Sequence, residues 1–176
     1  MILQSLLEIN KKYQSDKGGK HPYLEKYYSN LFAPIRNNNL NFLEIGVYHG
    51  ASLKLWRDYF PNANFHGVDL KNRKNYFNNL DRITLHQGKS DQPSTYKNLK
   101  TQFDIIIDDG NHRSATQIPT FKLSRPMVKQ GGYYIIEDVV DLQDLQTYFD
   151  GIKIFYTVYD YSNTHEKDSI IIQIKK

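Results

Sequence analysis

The stretch that decides the fold is NFLEIGVYHGASLKLWRDYFPNANFHGVDL, residues 41–70. Asn41–Gly46 is an apolar run typical of a buried strand, and Asn64–Leu70 is a second one. Between them, Ala51–Tyr59 has the apolar spacing of a helix. A strand, a glycine-containing turn, a helix and another strand form a unit whose two strands are parallel. The sequence therefore predicts an α/β protein with a Rossmann-like, doubly wound sheet.

Five further strands are predicted downstream of this unit. They are Arg82–His86, Phe103–Asp108, Tyr133–Glu137, Lys153–Tyr159 and Ser169–Lys175. The central strands are continuous apolar runs, as expected where both faces of a sheet are covered. The last two strands flank a polar loop and predict a hairpin. We therefore expect a mostly parallel seven-stranded sheet with an antiparallel edge hairpin.

Helices are predicted before the first strand and between the later ones, on both faces of the sheet. They are Ile2–Tyr13, Pro22–Phe32, Gln117–Lys129 and Asp141–Phe149. Pro126 disturbs the third of these helices, because proline cannot supply the backbone N–H that a helix interior needs. We expect Gly131-Gly132 to end that helix.

The chain has 176 residues, which suits one domain, and it contains no cysteine. The missing thiols exclude disulfides, zinc–thiolate sites, iron–sulfur clusters and a cysteine nucleophile. The net charge of +4 is spread without a dense basic run, so we expect no nucleic-acid partner. No apolar stretch approaches the ~18 residues that span a bilayer, and the first residues lack a signal-peptide pattern. We therefore expect a cytoplasmic protein with no membrane partner.

A glycine-containing turn joins the first strand to its helix. Gly46 and Gly50 would let the backbone approach a ligand, and the helix N-terminus would face a carboxylate or phosphate. The spacing from Glu44 is E-x-G-x-x-x-G, which differs from the G-x-G-x-x-G of dinucleotide-binding proteins. Asp69 ends the next strand, near the ~20-residue distance at which an acid accepts bonds from a ribose. Together these features favour a nucleoside ligand over a plain turn and a capping aspartate.

The loop Gln87-Gly88-Lys89-Ser90-Asp91 follows the third strand. In this topology the loop lies beside the adenine end of a nucleoside, where Ser or Asp side chains can bond the base. On the sequence alone, a polar turn explains the loop equally well.

Acidic residues follow two neighbouring candidate strands, which end in IIIDDGNH (105–112) and IIED (135–138). The four carboxylates are those of Asp108, Asp109, Glu137 and Asp138. Neighbouring strands lie about 4.8 Å apart, so these acids would converge on one edge of the sheet. A divalent cation would relieve the repulsion between the clustered carboxylates. Oxygen ligands suit Mg²⁺, Mn²⁺ or Ca²⁺, and His112 is placed to take a proton from a substrate hydroxyl. The alternative is that the acids form turns and the histidine is structural.

With these residues, the chain resembles class I S-adenosylmethionine-dependent methyltransferases over nearly all of its length. More narrowly, it is similar to the metal-dependent sugar O-methyltransferases of the macrocin and mycinamicin type. The runs that carry the resemblance are SDKG (15–18) with His21 and Tyr23, FLEIGVYHGASLKLWRDYFPNANFHGVDL (42–70), FDIIIDDGNH (103–112) and GGYYIIEDV (131–139).

The resemblance implies S-adenosylmethionine as the cofactor. The residues implied to bind it are Glu44, Gly46, Gly50, Ser52, Asp69, Gln87, Gly88, Ser90 and Asp108. It also implies a single methyltransferase domain over residues 1–176, in which a helical N-terminal segment, residues 1–40, caps the cofactor site.

The resemblance further implies Mg²⁺ or Mn²⁺ as a metal cofactor, with His112 as the general base. The implied metal ligands are Asp109, Glu137 and Asp138. The residues expected to bind the acceptor substrate are Lys17, His21 and Tyr23.

The activity so implied is methyl transfer to a sugar hydroxyl, on a glycan precursor of polysaccharide biosynthesis or on a glycosylated small molecule. One alternative is a catechol or nitrogen acceptor. A catechol enzyme uses the same metal but usually a lysine base, and we expect no lysine in the acidic cluster. Another alternative is a protein that binds the cofactor without catalysing a reaction. Such a protein would need no metal and therefore no cluster of four acids.

The macrolide enzymes of this type are longer and carry an additional N-terminal region, whereas residues 1–40 precede the predicted first strand here. This difference disfavours a macrolide acceptor and an oligomer built by that region. The sequence leaves open a homo-oligomer of another kind, the acceptor and the preferred metal.

Overall fold

The computed structural model describes residues 4–176 and contains one seven-stranded sheet. The strands are β1 (Asn41–Ile45), β2 (Asn64–Asp69), β3 (Ile83–Gln87), β4 (Phe103–Asp108), β5 (Val128–Ile136), β6 (Thr157–Asp160) and β7 (Ile170–Lys175). Their order across the sheet is β3-β2-β1-β4-β5-β7-β6. Strands β1 to β5 pair in parallel, and β7 runs antiparallel to both β5 and β6. The predicted Rossmann-like α/β sheet with an antiparallel edge hairpin is confirmed.

Six α-helices accompany the sheet within residues 4–176. They are α1 (Leu6–Tyr13), α2 (Ser29–Phe32), α3 (Ala51–Tyr59), α4 (Pro93–Tyr96), α5 (Ser114–Ser124) and α6 (Leu142–Gly151). The predicted start of the first helix, Ile2, lies outside the described residues. The predicted helix Pro22–Phe32 is a π-helical turn, Leu24–Tyr28, that continues into α2.

The two faces of the sheet bury separate apolar clusters because side chains alternate along each strand. Phe42 and Ile105 point to a cluster that includes Trp56 of α3. Leu43 and Ile106 point to the opposite cluster. That second cluster includes Phe121 of α5, Phe149 of α6 and Tyr96 of α4. Both faces of the central strands are therefore covered, as their continuous apolar sequences predict.

The region around Gly131-Gly132 differs from the prediction. The helix predicted to reach Lys129 ends at Ser124, and β5 begins at Val128 and includes both glycines. Gly131 has φ +80°, and a Cβ on Gly132 would lie 2.7 Å from the Asp104 carbonyl oxygen. The glycines therefore permit an irregular strand to pass close to β4, where the register shifts, rather than ending a helix.

The predicted strand over Lys153–Tyr159 is also shorter than expected and begins at Thr157. The residues before it complete the turn after α6, where the Ile154 N–H donates to the Phe149 carbonyl oxygen at 2.9 Å. Across residues 4–176, the helices are all too short or too polar to cross a membrane.

A pair of histidines lies on β2 and β3 at one edge of the sheet. His66 Nδ1 is 3.0 Å from His86 Nε2, and the two rings stack at an interplanar angle of 4°. Burial and the neighbouring His86 lower the pKa of His66 to about 4, and burial also lowers the pKa of His86. Because the ordinary pKa of histidine is 6.5, the unfolded chain takes up these protons first as the pH falls.

This pair predicts acid sensitivity of the fold. The contribution of the neutral histidine pair to the free energy of unfolding is fully present above pH ~6.5. It is lost as the pH falls toward ~4, because protonation favours the unfolded chain. We expect His66→Phe to reduce the fall in melting temperature between pH 7 and pH 5, measured by circular dichroism. The matched control, His165→Gln at an exposed histidine, should keep the wild-type fall. An unchanged pH profile in His66→Phe would contradict the assignment.

Candidate active site

The turn between β1 and α3 lies close against the end of β4. Gly46 has φ +90°, and a Cβ at this position would lie 1.9 Å from the Asp109 carbonyl oxygen. Gly50 has φ +78° and packs on Phe77, which a Cβ would approach to 2.2 Å. Both positions therefore require glycine for conformation and for space. The consequence is that the glycine turn and the acidic loop after β4 form one contiguous surface.

Asp69 at the end of β2 organises the same turn. Its carboxylate accepts hydrogen bonds from the N–H groups of Val47 at 3.1 Å, Tyr48 at 2.9 Å and Lys71 at 2.8 Å. Arg73 Nε lies 3.0 Å from its Oδ1 atom. Burial acts to raise the pKa of Asp69, but these donors outweigh it and hold the pKa below the ordinary value. Asp69 is therefore an ionised anchor for the glycine turn.

A cleft of about 370 Å³ opens above the carboxyl ends of β1, β2 and β4. Four of the residues predicted to bind the cofactor line it, namely Gly46, Asp69, Gly88 and Ser90. The exposed Leu70 side chain also lines this cleft. Gln87 instead lines a smaller pocket of about 130 Å³ on the other side of Asp69. The position of the 370 Å³ cleft agrees with the ligand site of doubly wound sheets, which lies beyond the carboxyl ends of the strands.

Two of the acids predicted to bind the cofactor, Glu44 and Asp108, are buried beneath the clefts. Glu44 is 0% exposed and accepts a hydrogen bond from Trp56 Nε1 at 3.4 Å. Asp108 accepts one from the Gly110 N–H at 3.3 Å. Burial raises the pKa of each carboxyl to about 7. Glu44 thus bonds the α3 helix and Asp108 bonds the loop after β4, and neither residue lines the clefts.

A second cleft, of about 530 Å³, lies on the other side of the glycine turn. Its walls include Ser52, another residue predicted to bind the cofactor, together with Asp109, His112 and Asp138. Residues 13–16 of the N-terminal segment form the opposite wall. Both clefts are lined by Gly46 and Gly110, so they meet at the closest approach of β1 and β4. A ligand lying across Gly46 would reach from one cleft into the other.

The expectation that the acidic cluster contains no lysine is wrong. Lys17 is 2% exposed, and its Nζ atom lies 2.5 Å from Asp109 Oδ2 and also bonds Glu137 Oε2. Burial acts to lower the pKa of Lys17, but the carboxylates of Asp109 and Glu137 outweigh it and raise the pKa well above the ordinary value. Lys17 is therefore a buried ammonium between two acids from different strand ends.

Glu137 is buried, although the sequence predicts that it lies on an open rim of the sheet. It is 0% exposed, and its second oxygen accepts a hydrogen bond from the Tyr28 hydroxyl. Sequence reasoning missed Tyr28, which lies in an aromatic-rich helical segment without a recognisable motif. The SDKG run with His21 and Tyr23 indicated that this part of the chain contributes to the site, but not that Tyr28 does.

The other two residues expected to bind the acceptor also lie against the acids. The Tyr23 hydroxyl donates to Asp138 Oδ1 at 2.7 Å, and the side chain is 0% exposed. His21 Nδ1 lies 2.8 Å from Ser169 Oγ, and its Nε2 lies 3.6 Å from Asp138 Oδ2. The structure brings Lys17, His21 and Tyr23 together, but as buried partners of carboxylates. Contact of these side chains with an acceptor stays a prediction.

His112 stands at the mouth of the acidic cluster. Its Nε2 atom is 3.4 Å from Asp109 Oδ1 and 4.0 Å from Asp138 Oδ2, and the side chain is 33% exposed. Burial acts to lower its pKa, but the contact with Asp109 outweighs it and raises the pKa above the ordinary value. One potential ligand atom from each of Asp109, His112 and Asp138 lies within 4.8 Å of the others. This arrangement brings together donors that suit a metal ion.

The region that carries these residues defines the family. The methyltransferase domain family Methyltransf_24 matches residues 43–139, from the glycine turn to the end of the Glu–Asp pair. The match covers more than half of the chain, and the chain therefore belongs to this family of methyltransferase domains.

Curated relatives narrow the comparison. The chain is 35% identical over 138 residues to 8-demethyl-8-(2-methoxy-alpha-L-rhamnosyl)-tetracenomycin-C 3'-O-methyltransferase of Streptomyces olivaceus, covering 73% of this chain and 35% of that enzyme. It is 32% identical over 146 residues to mycinamicin VI 2''-O-methyltransferase of Micromonospora griseorubida, covering 76% of this chain and 36% of that enzyme. The chain thus aligns with about a third of the length of these relatives. The resemblance drawn from the sequence is confirmed.

A solved structure shares the whole fold. It is the MycE methyltransferase of the mycinamycin biosynthetic pathway in complex with Mg, SAH and mycinamycin VI. The superposition has a TM-score of 0.78 at 25% identity and covers 99% of this chain and 55% of that one. The similarity therefore extends through the N-terminal segment as well as the sheet.

The glycine turn generates a prediction about the fold of the site. We expect Gly46→Ala to destabilise the protein by more than about 2 kcal/mol, because a left-handed residue with a Cβ costs roughly 1–2 kcal/mol before any clash. Here the Cβ would also meet the Asp109 backbone. Urea denaturation measures the change. Gly151→Ala, at a glycine with no atom within 4 Å of an added Cβ, is the control and should be tolerated. Equal stability of the two variants would contradict the geometry.

Proposed function

We propose that this chain is an S-adenosylmethionine-dependent O-methyltransferase that methylates a sugar hydroxyl, with a divalent cation as second cofactor. The observation that carries the proposal is the meeting of the two clefts at Gly46 and Gly110, one beside Asp69 and the other beside the acids. The family and the named activities of the relatives support the reaction class. The acceptor is a sugar or a glycosylated small molecule.

The first cleft suits the adenosine part of the cofactor. Asp69 faces it with an ionised carboxylate, which can accept hydrogen bonds from ribose hydroxyls. Gly88 and Ser90 lie where the base would sit, and Gly46 leaves the backbone open for the sulfonium end. The reactive methyl would then point across Gly46 into the second cleft, which the acids line.

The residues of the acidic cluster fit a divalent cation. The donors are mostly carboxylate oxygens, which Mg²⁺ and Mn²⁺ prefer, and the Lys17 ammonium already marks a position for positive charge between two of them. Asp109, Glu137 and Asp138 would hold the ion. When bound, it supplies Lewis-acid assistance that lowers the pKa of an acceptor hydroxyl.

His112 is the proposed general base. Its Nε2 atom faces the second cleft beside Asp109, within reach of a hydroxyl held at the acids. In the reaction the acceptor oxygen bonds to the methyl carbon as the carbon–sulfur bond breaks. The sulfur keeps the electron pair, and His112 takes the hydroxyl proton. The main task of the chain is to hold oxygen and methyl at attack distance, since positioning contributes most to such transfers.

Lys17 favours one second candidate, a catechol acceptor. A lysine beside the proposed metal ligands is the feature whose expected absence argued against this class. Lys17 lies beside Asp109 and Glu137, where it would have to lose its proton before it could act as the base. The relatives' activities on glycosylated compounds keep a sugar hydroxyl as the first proposal. A glycan precursor of polysaccharide biosynthesis as acceptor, and a cytoplasmic location, belong to the same proposal.

Cofactor binding is the first test. Titration calorimetry should detect binding of S-adenosylmethionine or S-adenosylhomocysteine, and Asp69→Ala should weaken it by ~1–3 kcal/mol, since the ribose hydroxyls lose their acceptor. Asp150→Ala removes an exposed carboxylate from α6 that lines neither cleft, and should bind like wild type. Equal affinity in Asp69→Ala would remove Asp69 from the cofactor site. Tight binding of NAD instead would overturn the function.

The base is tested by turnover. Radiolabelled S-adenosylmethionine is incubated with a panel of simple glycosides, including α-L-rhamnosides, and with catechol. Turnover should stop in a chelator and return with Mg²⁺ or Mn²⁺. His112→Ala should lower the rate by about 10²–10⁴-fold, the usual contribution of a general base, while cofactor affinity is kept. A near-wild-type rate in His112→Gln would reject the base, and full activity in chelator would reject the metal.

A further inference from the structure

We propose that Lys17 is a built-in counter-cation that competes with the divalent ion for Asp109 and Glu137. Metal binding would then release the segment that carries Lys17. This segment, residues 14–19, is called the strap below. The inference rests on the proposed function, because it concerns the metal named there.

The position of the ammonium is the first argument. Lys17 Nζ contacts Asp109 Oδ2 and Glu137 Oε2, which are oxygens of two of the three proposed metal ligands. Mg²⁺ binds carboxylate oxygens at about 2.0–2.1 Å. An ion held by both of these oxygens would have to lie in the space that Nζ occupies. Lysine and metal therefore cannot use the same pair of oxygens at once.

The need for a cation is the second argument. Potential ligand atoms of Asp109 and Asp138 lie within 4.8 Å of each other. Glu137 is fully buried and is joined to Asp109 by the shared Lys17 ammonium. Buried charges are tolerated only where opposite charge and hydrogen bonds compensate them. Lys17 and the Tyr28 hydroxyl provide this compensation for Glu137. Lys17 thus supplies positive charge at the acids, and a bound ion would make the ammonium superfluous and repel it.

The surroundings of the strap are the third argument. Open space lies on both of its sides, in a cleft of about 520 Å³ and in the second cleft of about 530 Å³. Gln14, Ser15 and Asp16 line both. Asn10 ties the strap to α1: its backbone carbonyl oxygen accepts a hydrogen bond from the Gln14 N–H at 2.7 Å, and its side chain exchanges two hydrogen bonds with the Ser15 backbone at 2.8 and 3.0 Å. Lys17 therefore has room to leave the acids while α1 stays in place. Its departure would alter the wall of the second cleft.

The test compares Mg²⁺ binding in wild type, Lys17→Met and Lys12→Met by titration calorimetry with MgCl₂. Lys12 belongs to the same N-terminal region and also forms an ion pair, with Asp58 at 3.1 Å, but lies away from the acids. We expect Lys17→Met to bind Mg²⁺ at least about tenfold more tightly, because a repelling charge is removed. Lys12→Met should match wild type. In chelator, Lys17→Met should melt below wild type, and Mg²⁺ should raise its melting temperature more.

Amide hydrogen exchange on the wild-type protein keeps the test decisive if Lys17→Met does not fold. Saturating Mg²⁺ should increase exchange in residues 14–19 and leave α3 unchanged. Unchanged exchange in the strap with Mg²⁺ bound overturns the proposal, and so does equal or weaker Mg²⁺ binding by a folded Lys17→Met. Those results would leave the metal site itself intact. Absence of Mg²⁺ binding in both wild type and Lys17→Met would overturn the metal site and the competition together.

Discussion

The parallel register of the central strands is the constraint on which the site depends. Ile45 of β1 is paired with Val68 of β2 and with Asp108 of β4, and Asp108 is paired with Ile136 of β5. Four strands therefore end at one level, and the residues that follow each of them meet at one edge. Because side chains alternate along a strand, a slip of one residue would turn these acids toward the opposite face of the sheet.

The site has two parts: the glycine turn with Asp69, and a group of acids whose partners come from the N-terminal segment. Asp69 and the glycine turn are held together by hydrogen bonds from backbone N–H groups, so the chain's own contacts shape the first cleft. The acids after β4 and β5 are different, because their partners Lys17, Tyr23 and Tyr28 come from the N-terminal segment. The sheet thus provides the positions of the carboxylates, and the segment before it provides their compensation.

Much of the fold and the position of the first cleft could be predicted because the signals are local. Apolar runs identify the strands, and the spacing from Gly46 to Asp69 identifies the first cleft. Lys17 could not be placed at Glu137, because nothing in a short window reports a contact between residues so far apart in sequence. The buried state of Glu44 and Asp108 is hidden for the same reason. The prediction that Gly131 and Gly132 end a helix was wrong because glycine permits both a helix end and an irregular strand. The close approach of the Asp104 backbone, which the sequence does not reveal, decides between them.

The link between Lys17 and Glu137 also has a consequence for the order of folding. The two residues are 120 positions apart, and the entropy lost in closing so large a loop delays contacts of this kind. The N-terminal segment is synthesised first, yet its lysine finds its partners only after β4 and β5 have left the ribosome. Between the emergence of these strands and the docking of Lys17, the acids of the sheet lack their counter-charge. The docking of the first part of the chain therefore completes the charge compensation of the site.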